Sequence, residues 1–162
     1  MKSIVGVYES HDKAVAALQE LKRSGYADRL LSVVGKADLI DNHIHIKSSD
    51  TVEKAEASIG IVAGTILGIL TGVGIFVIPG FGFLFGAGAM IGAFVGVDAG
   101  IIAGGITAIL TSIGIDEVNA AKYEKHLNEG KFLVFAEGDD AQLKQAHQTL
   151  HTDGQALELT SY

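Results

Sequence analysis

The residues best suited to chemistry in this chain are histidines. His147 and His151 stand four apart in a segment of helical periodicity, a spacing that sets both imidazoles on one side and suits a divalent metal. A zinc site normally takes three or four protein ligands. No third histidine or fixed carboxylate accompanies this pair, so a solvent-facing polar surface explains it equally and the pair is only a weak metal candidate. His43 and His45 flank Ile44 in a predicted strand and share its outward face, where polar side chains belong. The adjacent carboxylates Asp116-Glu117 and Asp139-Asp140 fall at predicted helix starts. Neighbouring residues diverge on a helix and negative charge is favoured at its N-terminus, so capping accounts for both pairs better than acid–base catalysis. Gly86-Ala87-Gly88 lies inside an apolar run, without the strand, helix start and lysine that a phosphate cradle needs. No catalytic residue and no cofactor is expected.

These residues sit in a chain of 162 residues whose ends and middle differ in composition. Charges crowd both ends, and most of the 21 glycines lie in the centre. A formal net charge of -7, with no cluster of lysines, speaks against a nucleic-acid partner and against anionic headgroups. Cysteine is absent, which fits a reducing compartment. The first residues read as a strand rather than a secretion signal, so the chain is expected to start in the cytoplasm.

Each end carries a βαβ pattern. Lys2 to Tyr8 predicts a strand; Ser10 or Asp12 caps a helix bearing Ala14, Ala17, Leu18 and Leu21 and closed by Gly25; Leu30 to Val34 and Ile44 to Ile46 follow as strands. Later, Glu117 to Asn128 predicts a helix closed by Gly130, and Phe132 to Phe135 a strand. Asp139 or Asp140 caps a helix through Leu143, Ala146 and Leu150, and Ala156 to Thr160 alternates as a last strand. Neither half buries a sheet face alone. The economical arrangement is α+β, a split ferredoxin-like sandwich with its helices on one side, residues 1–50 and 116–162 forming its halves and 51–115 an insertion.

The insertion carries two ladders of glycine at every fourth residue, Gly60, Gly64, Gly68, Gly72 and Gly88, Gly92, Gly96, Gly100, Gly104. On a helix that spacing makes a smooth ridge along which two backbones approach closely. Ile59 to Ile78 as one helix reaches about 30 Å, the hydrocarbon thickness of a bilayer. Pro79, Gly80 and Gly82 break it, and a second helix from near Phe83 returns antiparallel. Residues whose numbers add to about 160 then lie level, which pairs glycine with glycine from Gly60 and Gly100 to Gly72 and Gly88. Asp98 is the only charged residue between Ser58 and Ile115 and falls near the hairpin base. Ile101 to Ile115 overhangs that base and needs cover from the split domain or another subunit.

Two environments suit such a hairpin. A bilayer accepts a helical pair that satisfies its own backbone, whereas many copies packed together make a dry protein interior. Tryptophan is absent, and Glu53, Glu56, Asp116 and Glu117 match or outnumber nearby Lys54 and Lys122, so positive-inside orientation is weakly marked. The expectation is a homo-oligomer in the inner (cytoplasmic) membrane with both termini cytoplasmic, or else a cytoplasmic protein-only assembly. A module sensing a small ligand or metal through the histidines, and ion conduction past Asp98, are the rivals.

Ser3-Ile4-Val5-Gly6-Val7-Tyr8, Ala14, Ala17-Leu18, Leu21, Ser24-Gly25-Tyr26 and Leu31-Ser32-Val33-Val34 resemble the bacterial heat-induced stress protein domain of general stress protein 17M-like proteins. Ile78-Pro79-Gly80-Phe81-Gly82, Gly114-Ile115-Asp116-Glu117, Ala120, Tyr123 and Gly130-Lys131-Phe132-Leu133-Val134 look like members of that group with a glycine-rich centre. Asp116 stands where the family pattern has proline. The resemblance implies a bacterial stress-response protein of undefined activity, with no catalytic residues to carry over.

Overall fold

The computed structural model describes residues 2–36, 73–78, 82–88 and 105–162. Their centre is an antiparallel sheet of six strands: β1 (Lys2–Tyr8), β2 (Leu31–Lys36), β3 (Val73–Ile78), β4 (Gly82–Gly88), β5 (Phe132–Gly138) and β6 (Glu158–Ser161). Across the sheet the order is β3-β4-β2-β5-β1-β6, every neighbouring pair antiparallel. Four α-helices accompany it, α1 (His11–Arg23), α2 (Gly105–Ser112), α3 (Glu117–Asn128) and α4 (Asp140–Asp153).

The central strands are apolar along their length because both faces are covered. In β5, Phe132, Val134 and Ala136 join one buried cluster with Leu18, Leu21, Leu143 and Leu150 of α1 and α4. The alternate residues Leu133 and Phe135 join a second cluster with Val5, Val7 and Val34, which α2 and α3 roof with Ile106, Ile109, Leu110, Tyr123 and Leu127. The helices of the two βαβ patterns, α1 and α4, share one face as expected; α2 and α3 add a second layer on the opposite face. The physical reason lies in the strands: Val5, Val7, Val34, Leu133 and Phe135 would otherwise leave an apolar face in water, and burying each is worth roughly 1.5–3 kcal/mol.

Short side chains start the helices. Ser10 accepts from the Lys13 amide, Asp116 from the Asn119 amide at 3.0 Å, and Asp139 from the Gln142 amide at 2.8 Å, with Gln142 reaching back to complete a capping box. Hydrogen bonds from Asn119 hold the exposed Asp116 carboxyl below the usual carboxylate range.

The inner ends of the two apolar runs require correction. Residues 73–78 and 83–88, expected to be helical, and Gly82, expected in the turn, form strands β3 and β4. Five of the six residues of Val73-Gly74-Ile75-Phe76-Val77-Ile78 are β-branched or aromatic, which favours a pleated strand. Three residues at 79–81 are a hairpin-length link, and β2 offers a backbone edge that a helix would leave unsatisfied. The pairs run from Val73 with Ala87 to Ile78 with Gly82, so paired numbers still add to about 160, in a β-ladder rather than a helical pair. Pro79, Gly80, Asp98 and the predicted strand Ile44 to Ile46 lie outside the described residues. Among those described, no helix is long and apolar enough to cross a membrane.

Candidate assembly site

The glycine-rich segments meet the sheet domain at two junctions. The first is the end of β4. Ser32 pairs with Gly88 and Lys36 with Leu84, and both Gly86 and Gly88 are buried. Gly88 has φ +105, and a Cβ there would lie 2.1 Å from the Leu31 carbonyl oxygen and 2.7 Å from the Ser32 Cα. A side chain would collide with backbone, so this glycine is required by strand approach and a left-handed conformation, not by a helical ridge.

The second junction is the start of α2. Glu124, on α3, reaches across to accept from the Thr107 amide at 2.8 Å and from the Thr107 hydroxyl. Its carboxylate thereby serves an orphan N–H and the positive end of the α2 dipole, a task usually given to the residue before the helix. Ile106, Ile109, Leu110 and, beyond the turn at Gly114, Ile115 are buried against the sheet. The stretch expected to overhang is thus covered, from Gly105 onward, by the domain itself.

On the same side, α3 is fastened to the edge strand β6. Lys122 Nζ donates to Glu158 Oε1 at 2.7 Å, and His126 Nε2 stands 3.6 Å from Glu158 Oε2. Lys131 Nζ donates to Glu129 at 2.5 Å and lies 3.2 Å from His126 Nδ1. That lysine holds the exposed Glu129 carboxyl below its ordinary value. The Tyr123 and Tyr162 hydroxyls meet at 2.8 Å with their rings edge to face. Burial, then the Tyr123 hydrogen bond, pushes the Tyr162 phenol well above its ordinary value.

Of the residues named from sequence, Gly82 and Gly88 fall in β4, at opposite ends of the strand. Gly60, Gly64, Gly68, Gly72, Gly92, Gly96, Gly100 and Gly104 lie outside the described residues. His147 and His151 are exposed on α4, their rings stacked with centroids 6.1 Å apart and 17° between planes. Among the described residues no group of three or more His, Asp or Glu could hold a metal ion. Thr107 can be read from sequence as a hydrogen-bonding residue within the apolar run, but sequence reasoning missed Glu124 as its partner. Their 17-residue separation carries no local sign of a cap, which is read from residues three apart. Comparison of the chain with protein-family models, with curated proteins and with solved structures finds no match.

Proposed function

We propose that this chain is a non-enzymatic, self-associating protein, in which a split ferredoxin-like unit (β1-α1-β2 with β5-α4-β6) holds two glycine ladders for packing within and between copies. One observation carries the reading. Val73 pairs with Ala87 at the open end of the β3–β4 hairpin, so the chain enters β3 and leaves β4 at the same level. The first ladder ends at Gly72 and the second begins at Gly88, one step beyond that pair. Gly88 itself belongs to β4; beyond it we propose that the same arithmetic holds in a helical pair, with Gly68 against Gly92, Gly64 against Gly96 and Gly60 against Gly100. Glycine at every rung lets helices of this chain and of its neighbours approach to backbone contact.

The environment follows from length. Residues 59–72 as a helix extend about 21 Å, short of the roughly 30 Å hydrocarbon core, so a protein-only assembly with a dry interior is the leading form. A bilayer is the second, favoured by the absence of charge between Ser58 and Val97. The resemblance to the heat-induced stress protein domain supports a stress-linked role in either.

Replacing Gly64 and Gly96 with leucine together is expected to shift the assembly to smaller species in light scattering; an unchanged size distribution refutes the ladder. Detergent-free fractionation of cells separates the environments. Lipid-free particles in the supernatant support the protein assembly, whereas carbonate-resistant pelleting moves the reading to the bilayer.

A further inference from the structure

The two edges of the sheet are defended very differently. At one edge β6 is four residues long, polar in Glu158, Thr160 and Ser161, and its Glu158 is held by Lys122. Short length and charge are the devices by which proteins keep an edge from recruiting another strand. At the opposite edge stands β3, which among the described residues pairs only with β4. Val73-Gly74-Ile75-Phe76-Val77-Ile78 has six residues, no charge, no proline and no polar side chain. An uncharged apolar run of that length with high β-propensity is the kind of segment that pairs with its own sequence.

We infer that the edge of β3 left open among the described residues is an interaction surface for a second copy of this chain, joined strand to strand, β3 against β3, about a two-fold axis. Every neighbouring pair in this sheet is antiparallel. A two-fold axis perpendicular to β3 brings the identical strand alongside in the opposite direction, so the new ladder repeats the hydrogen-bond pattern the sheet already uses. The partner is self-complementary by construction, and the surface needs no side-chain charge for recognition: the backbone N–H and C=O groups supply affinity. The joined sheet has twelve strands, with β6 left at both outer ends, where the protective charge is. This inference rests on the self-association reading but not on the ladders, which make a separate contact.

Three variants test it in the full chain. Ile75→Lys places like charges near the axis and is expected to halve the mass of the smallest stable species by size exclusion with light scattering, at unchanged far-ultraviolet circular dichroism. Because the natural chain has no cysteine, a single cysteine moved through positions 73–78 reads the contact even if the lysine variant fails to fold. Strands paired across an axis bring equivalent Cα atoms to about 5 Å, within disulfide range. Oxidation should therefore give a covalent dimer with a maximum at one position and a fall on either side. Unchanged mass in Ile75→Lys, or no cross-link at any of the six positions, overturns the inference. So does an intramolecular cross-link between Ile75→Cys and Ile44→Cys in place of the dimer, which would give the edge to this chain's own segment. Dissociation by Ile75→Lys with no effect of the paired Gly64 and Gly96 substitutions keeps the β3 contact and removes the ladder; the reverse result removes the β3 contact and keeps the ladder.

Discussion

The two faces of the sheet are covered by helices of different provenance. On the first face, α1 follows β1 and α4 follows β5 after short links, and their leucines meet Phe132, Val134 and Ile4. On the second face, α3 brings only Ala120, Tyr123 and Leu127 to the core, and the rest of the roof is Ile106, Ile109, Leu110 and Ile115 from the end of the apolar run. One cover comes from helices that directly follow β1 and β5, and the other comes in part from the end of the central apolar run. Residues 105–115 are therefore tied to the sheet by packing as well as by the chain.

If the second cover is as integral as the first, deleting a ring on either side should cost alike. Phe132→Ala and Phe135→Ala act on one strand and opposite faces, and each is expected to lose about 3–5 kcal/mol. Urea unfolding should show a single transition displaced by similar amounts. A small loss for Phe135→Ala alone would mark the second layer as loosely docked.

The next effect concerns β4, which joins the insertion to the sheet from within. Gly88→Ala forces a side chain into a positive-φ site against the Leu31 backbone, a strain of about 1–3 kcal/mol before overlap is counted. Gly25, with φ +91 and open space around its Cβ position, offers the control. Gly25→Ala should cost the smaller amount, and equal midpoints for the two variants would mean that β4 yields freely.

The smallest effect is a pH dependence at the rim of β5. Burial raises the Glu137 carboxyl above the ordinary carboxylate range. The folded chain thus holds that proton more tightly than the unfolded chain, and the stability it contributes is complete below the unfolded pKa and lost as pH climbs through the folded one. Glu9, Asp116 and Glu129 are shifted down and act in the opposite sense, losing their contribution as pH falls. Glu137→Gln should raise the urea midpoint at neutral pH more than at pH 4, and an identical pH profile for the two proteins would dismiss the effect.

Much of the first face is legible in the sequence. Ser10 and Asp139 mark helix starts chemically, Gly25 and Gly154 follow helix ends with positive φ, and Leu18, Leu21, Leu143 and Leu150 keep helical spacing. On the second face α3 is equally legible, with Asp116 at its start and Gly130 past its end; the docking of α2 is not, because Ile106, Ile109 and Leu110 are indistinguishable from any other apolar helix until a partner surface is known. β3 and β4 fail for a different reason. A short apolar run does not declare its period, and glycine spacing on either side outweighed the β-branched and aromatic residues between. The turn centre survived that error because antiparallel strands and antiparallel helices share the same pairing arithmetic. The Glu124 cap was beyond reach, its two partners being brought together only by the packing of α2 on α3.

The pairing of β1 with β5 has a consequence in time. Lys2 meets Gly138, so β1 waits for roughly 130 further residues before its ladder with β5 can close, several seconds or more at ribosomal speed. For roughly the last thirty residues of that interval both glycine ladders and β3 have been made, while Phe132 to Gly138, the strand that organises both cores, has not. A nascent chain therefore presents its stickiest stretch before it owns a domain to hide it. If the chain self-associates as proposed above, copies emerging from neighbouring ribosomes on one messenger would meet in that state, and translation itself would be a moment at which assembly can begin.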